Sequence, residues 1–222
     1  REDQDALAVE SHRRAAAAAA AGYFKEQVLP VEIPGRKGKI TIVDTDEHIR
    51  ADVSPDDMAR LRPAFAKDGT VTAGNASGIN DAAAAVVIAS GSFVNSHGLA
   101  PLGRLVGYGH AGVEPRIMGM GPVPATRKVL DRTGLKVGEI DVFEVNEAFA
   151  AQALAVTREL DLPAERTNPN GSGISLGHPV GASGAILVVK SLYELKRTGG
   201  RYALNTMCIG GGQGIATIFE RV

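Results

Sequence analysis

Three short segments of the 222-residue chain place chemically capable side chains at the ends of apolar runs, where α/β proteins bind their ligands. The first is Asn146-Glu147-Ala148-Phe149-Ala150, in which a buried strand passes directly into a helix with Asn146 at or near the N-cap. Capping and chemistry both fit an asparagine there. The second is the glycine-rich stretch 168–184, containing Gly177-His178-Pro179. Pro179 pushes His178 out of the helical region, so the imidazole is presented from extended backbone just before a helix N-terminus, as a structural histidine or as an acid/base group. A phosphate cradle is the competing use of those glycines, but no Gly-Lys-Ser/Thr ending is present. The third is Cys208, delivered by a strand to the turn Ile209-Gly210-Gly211-Gly212-Gln213-Gly214. A free cysteine often serves as a small buried hydrophobe. A run of glycines whose backbone N–H groups face a ligand oxygen makes an oxyanion hole, and a thiolate beside it is a base or a nucleophile.

The elements that must hold these residues follow from composition and period. Residues 3–21 are rich in Ala, Leu, Glu and Arg and end before Gly22, which predicts a helix. Residues 28–33 and 39–43 alternate as two short strands around a loose turn, and Ser54-Pro55-Asp56-Asp57 starts a helix that Pro63 closes. Residues 69–81 carry almost no bulk, which suits tight turns or close approach of a ligand. Residues 82–89 form a continuous apolar run that reads as a strand buried on both faces, with a buried helix as the alternative. A strand-like segment starts at Pro101, a helix covers 124–133, and a buried strand covers 140–145. Phe149, Ala153, Val156 and Leu160 stripe one later helix, and Ala185, Val188, Leu192 and Leu195 another. Strands at 202–208 and 215–219 close the chain, giving a layered α/β architecture with a mixed sheet.

The 24 Lys+Arg balance 25 Asp+Glu with no long run of either sign, so nothing draws nucleic acid or an anionic membrane. No apolar stretch approaches the roughly 20 residues of a membrane helix, and the charged start Arg-Glu-Asp-Gln-Asp is unlike a secretory signal. Cys208 is the single cysteine, which leaves no internal disulfide and no thiol-only metal cage and points to a cytoplasmic setting. A chain that opens at Arg1 inside a helical pattern reads as a piece of something longer.

Taken together, Asn-Glu-Ala-Phe-Ala, Gly-His-Pro-x-Gly-Ala-Ser-Gly and Cys-Ile-Gly-Gly-Gly-x-Gly, in this order and about thirty residues apart, resemble the thiolase family. Gly69-Thr70-Val71-Thr72-Ala73-Gly74-Asn75-Ala76-Ser77-Gly78 and Met118-Gly119-Met120-Gly121-Pro122 extend the likeness over the whole chain, and Asn-Pro-Asn-Gly-Ser-Gly-Ile-Ser-Leu-Gly-His-Pro is most similar to bacterial β-ketothiolases of the polyhydroxyalkanoate-associated type. The resemblance implies a thiolase fold: residues 1–78 as the second part of a CoA-binding loop domain, 79–98 as a returning strand and helix of the N-terminal core domain, and 99–222 as the C-terminal core domain. It implies an acyltransferase, an acetyl-CoA C-acetyltransferase or β-ketothiolase, acting by Claisen condensation or thiolysis. In that reading His178 activates the nucleophilic cysteine and binds the thioester oxygen, Cys208 moves the substrate α-proton, Asn146 holds a water, and the Gly210 N–H binds the acyl-enzyme oxygen. Arg50 would meet a phosphate near the adenine, Phe65 and Met118 line the pantetheine tunnel, Ser77 face the pantetheine, and Phe149 wall the cavity. Coenzyme A or acetyl-CoA enters as substrate, with no metal and no permanently bound cofactor, and the family implies a homodimer or homotetramer. The nucleophilic cysteine and most of the first core domain are expected on an N-terminal segment outside this chain, which alone should be inactive. A ketoacyl-synthase-like condensing enzyme and an inactive CoA-binding fragment or scaffold are the rival readings.

Overall fold

The computed structural model describes residues 1–222. Helix α1 (Glu2–Ala20) opens with Glu2, Asp3 and Asp5, which complement the positive helix N-terminus. It buries Asp5, Ala8, Ser11, His12, Ala15 and Ala18, a stripe at helical spacing whose small side chains let neighbours approach closely. Gly22, at φ 75°, turns the chain away. An antiparallel hairpin of β1 (Val31–Pro34) and β2 (Ile40–Val43) follows, with both faces in solvent. Helix α2 (Pro55–Ala59) is held by a capping box in which Ser54 and Asp57 satisfy each other's backbone N–H groups, and it buries Met58 against Ala8, Ala150 and Ile174.

The rest of the chain builds a four-stranded mixed sheet of order β3-β6-β5-β4, from β3 (Gly103–Gly112), β4 (Val142–Val145), β5 (Tyr202–Ile209) and β6 (Gln213–Arg221). Only the β4–β5 pair is parallel. Alternation along the strands assigns each face its cover. Phe143, Val145, Leu204, Ala216 and Ile218 pack with Val123 and Val129 of α4 (Pro122–Thr133), Val156 of α5 (Ala150–Glu159) and Leu160 just after it. Val142 and Ala203 face the other way, onto Leu195 of α7 (Ser183–Thr198). Phe143 is wholly buried, a burial that contributes about 2–3 kcal/mol. Along the outer edge of β4, the Phe143 N–H donates to Arg166 O and the Asn168 N–H to Phe143 O, both at 2.8 Å.

Two expectations fail. Residues 82–89 form no strand and no helix: the segment is irregular and unpaired, with Val87 98% and Ile88 89% exposed. An apolar run signals burial, yet a strand exists only with a ladder partner, and no strand of residues 1–222 reaches it. The helix expected before Gly98 does form, as α3 (Gly91–His97) with Gly98 in the left-handed region. The stripe expected on α7 is also displaced. Leu192 and Leu195 are buried, but Leu187, Lys190, Ser191 and Glu194 go in with them while Ala185 and Val188 are half-buried. Lys190 and Glu194 escape a hydrophobic count because each is neutralised inside the protein, by Glu144 and by Arg197.

Candidate active site

The parallel pairing of β4 with β5 brings the first and third segments together. The Asn146 N–H donates to Thr206 O at 3.0 Å, which continues the ladder and sets Asn146 beside Met207, one residue before Cys208. Asn146 is not the residue that starts α5; Phe149 takes the N-cap, and no side chain caps that helix. The Asn146 amide is therefore free of the capping role, and its Nδ2 lies 3.3 Å from His178 Nε2.

Short helix α6 (Gly173–Leu176) and Gly177, at φ 93°, lead into His178. An added Cβ at Gly173 would stand 2.8 Å from Glu147 O and 3.0 Å from Asn146 Oδ1, so only glycine lets the two segments meet this closely. His178 Nδ1 sits 2.6 Å from Ser183 Oγ, and Ser183 donates its one hydroxyl proton to Pro179 O at 3.0 Å. Ser183 must then accept from His178 Nδ1–H, which fixes the tautomer and leaves Nε2 unprotonated; the Asn146 amide, also 3.5 Å from Nδ1, lies over the ring face and leaves the in-plane Nε2 lone pair open. Burial lowers the His178 pKa from its ordinary value, so the ring is neutral near pH 7 and Nε2 is able to take a proton.

Cys208, the last residue but one of β5, is a buried free thiol, and burial raises its pKa. At neutral pH it rests as the thiol; once ionised, its thiolate is a stronger base than an exposed one. Beyond it the strands reverse through Gly210, Gly211 at φ 83° and Gly212 at φ 90°. Gly210 is exposed, with nothing within 4 Å of where a Cβ would stand.

The thread 75–80 stitches the site together. The Ala150 N–H donates to Asn75 O at 2.9 Å, the Ser77 N–H to Ala148 O at 3.0 Å, and the His178 N–H to Gly78 O at 3.3 Å. Ser77 thus lies between the Asn146 turn and the His178 loop. Phe65 meets Phe149 edge-on with ring centroids 6.0 Å apart, and 75% of Phe65 remains exposed. Met118 is half-buried beside Gly119, which packs against Gln152 of α5. Arg50 is exposed and stands apart from this cluster, its N–H donating to His12 Nδ1 at 3.1 Å. Two surface hollows, of about 210 and 400 Å³, open elsewhere, the first between the end of α1 and residues 44–49 and the second around Asp141, Arg166 and Arg197. No group of three or more His, Cys, Asp or Glu side chains is arranged to hold a metal ion.

Several residues at the site carry no distinctive signal in the sequence. Ser183 sets the histidine tautomer. Asn80 presses on Gly177 with its carbonyl oxygen buried and unpartnered. Glu147 is 1% exposed. The only sequence signal for Glu147 is a carboxylate sitting where a strand buried on both faces ends.

The model of the thiolase N-terminal domain matches residues 1–92, and that of the thiolase C-terminal domain matches residues 99–221. The chain belongs to the thiolase family. Among curated thiolases, the β-ketothiolase BktB of Cupriavidus necator is 64% identical over the whole chain, and the β-ketoadipyl-CoA thiolase of Pseudomonas aeruginosa 54%. The chain spans 56% of either, about half the length of the curated relatives it matches. Among solved thiolase structures, the Bacillus anthracis acetyl-CoA acetyltransferase superposes with a TM-score of 0.97 at 48% identity, again over the whole chain and 56% of its own length. Human mitochondrial 3-ketoacyl-CoA thiolase in complex with CoA superposes at 0.92 with 47% identity over 55% of its length. The fold is accordingly the thiolase fold, with a mixed sheet.

Proposed function

We propose that this chain supplies one half of a thiolase active site, serving CoA-dependent acyl transfer by condensation of two acyl-CoA molecules or thiolysis of a 3-ketoacyl-CoA. The observation that carries the reading is the 3.3 Å approach of the Asn146 amide to His178 Nε2, in a ring whose tautomer Ser183 fixes. A neutral imidazole held in this way takes the proton of an incoming thiol, and its protonated form then donates to an oxyanion. Cys208, at the neighbouring strand end, takes the α-proton of the second acyl group, while the Gly210 N–H meets the acyl-enzyme oxygen. Asn146 acts with His178 through a bound water. An acyl thioester is a weak carbon acid, so its enolate must meet preset donors as the proton leaves. Acylation of a separate thiol divides the reaction into two easier steps.

That acyl-accepting thiol is assigned to a segment outside residues 1–222, since Cys208 is their only cysteine and takes the other catalytic place. Residues 1–78 form part of the CoA-binding loop domain, 79–98 return to the N-terminal core, and 99–222 form the C-terminal core. Phe65, Ser77 and Met118 guide the pantetheine arm, Phe149 walls the catalytic cavity, and Arg50 reaches a phosphate near the adenine. The complete enzyme is a cytoplasmic homodimer or homotetramer; the 64% identity to a β-ketothiolase supports that type, and the likeness of segment 168–179 supports a polyhydroxyalkanoate-associated one. The test is acetoacetyl-CoA thiolysis by the purified chain assembled with its N-terminal segment. Turnover that requires both pieces supports the reading; CoA binding with no turnover in the assembled enzyme would replace it with an inactive CoA-binding scaffold.

A further inference from the structure

Beneath Asn146 and His178 lies a carboxylate that the mechanism above does not use. Glu147 Oε2 accepts from Ser11 Oγ of α1 at 2.6 Å and from the Ile174 N–H of α6 at 3.4 Å. Its Oε1 accepts from Asn168 Nδ2 at 3.0 Å. Asn168 also brackets the residue before Asn146, accepting from the Val145 N–H and donating to Val145 O, both at 2.8 Å. Ser11 Oγ stands 2.8 Å from Ser175 Oγ and accepts weakly from the Ser172 N–H at 3.4 Å, so the network grips the loop that ends at His178 from two sides. A second buried tie, from Lys190 Nζ to Glu144 Oε2 at 2.7 Å and to Gly171 O at 2.5 Å, binds the start of that loop to β4.

The expense of this arrangement marks it as more than packing. A fully buried carboxylate is strongly disfavoured unless its lone pairs are filled, and burial raises the Glu147 pKa despite three donors. An apolar side chain would fill the same volume without that penalty. What an apolar residue cannot do is hold the 146–149 turn, α1 and α6 in one fixed relation. Asn146 and His178 sit on two different loops, and their 3.3 Å contact depends on that relation.

We propose that Glu147 is a positioning residue, fixing the Asn146 amide against the His178 imidazole by joining both loops to α1. This rests on the thiolase reading above. Catalytic groups displaced by about 1 Å lose rate steeply, so the effect belongs in turnover and not in substrate binding. Glutamine is an imperfect substitute: its amide nitrogen, placed at Oε1, meets the Asn168 Nδ2 donor, whose orientation Val145 already dictates. One bond of three is then lost.

The test uses Glu147→Ala, Glu147→Gln and Ser11→Ala in the complete enzyme, with turnover counted per acylatable site and the ¹⁵N-imidazole resonance of His178 assigned from His178→Ala. We expect kcat per site to fall about 100-fold in Glu147→Ala and about tenfold in Glu147→Gln. Ser11→Ala should fall in the same direction, with KM for CoA held within about twofold and the His178 resonance displaced in all three. Unchanged kcat per site with an unmoved resonance, or a change in KM alone, would overturn the proposal. Should Glu147→Ala not fold, Glu147→Gln and Ser11→Ala decide alone. A wild-type enzyme without thiolysis would instead strike the thiolase reading, while the His178 resonance would still answer for Glu147.

Discussion

Among single residues, the two buried acid/base groups are shifted in opposite senses, and each shift suits its assigned task. Cys208→Ser in the complete enzyme should still accept an acyl group but lose condensation and α-proton exchange by about 10²-fold or more, because a hydroxyl is too weak an acid to serve as the base. Proton exchange followed by NMR in deuterated solvent measures this, and exchange at the wild-type rate would remove Cys208 from the role. His178→Ala should lose both half-reactions by about 10³-fold, whereas Asn146→Ala, acting through a water, should cost about tenfold. Normal acylation in the histidine variant would show that something else activates the nucleophile. Asn146, His178 and Cys208 are legible in the sequence because each stands at a strand or helix end amid residues with narrow backbone demands. Ser183 and Glu147 lie inside the same motifs but are not singled out there, since a serine before a glycine and a glutamate before an alanine are common on any surface.

Elements carry two further expectations. At the start of β6, a Cβ on Gly214 would stand 2.0 Å from Gly121 C, at the N-terminus of α4. That contact is backbone on backbone, with no flexible side chain to yield, so Gly214→Ala should destabilise by about 3 kcal/mol or prevent folding. Denaturant unfolding would report it, and a variant within error of wild type would mean that α4 is free to slide. Helix α1 holds His12, whose Nδ1 accepts from the Arg50 N–H and whose pKa burial depresses from 6.5 to about 4. The unfolded chain therefore binds the proton more readily between those values, so stability is lost as pH falls from 6.5 towards 4 and is untouched above 6.5. His12→Gln should flatten the fall of the melting temperature in that window, and an unchanged slope would assign the acid sensitivity to other groups. Helices and strands are mostly readable from period and punctuation, as α4 with its Gly134 stop shows. The burial of α7 is not, because Lys190 and Glu194 look like solvated charges until their partners are known.

For the molecule as a whole, the decisive region is 79–90, where Ile79, Val87 and Ile88 stand almost fully in water. An apolar, unpaired, exposed segment invites association. The chain alone should aggregate and show no thiolysis of acetoacetyl-CoA. Addition of the N-terminal segment should suppress the first and restore the second, as light scattering and a turnover assay would show. Robust turnover by residues 1–222 alone, with mass spectrometry excluding a companion, would defeat the placement of the nucleophile outside them. Hydropathy tells that these residues are meant for burial but cannot tell that their partner lies elsewhere. The sheet itself has the opposite property at β4. Asn168, at φ 49°, gives its backbone N–H to Phe143 O, and its side-chain amide then offers Val145 the same donor and acceptor that a further peptide unit would. One amide thus serves as the selvedge of the fabric. With that margin hemmed, the four strands are extensible only along β3, and any strand the sheet recruits has a single address.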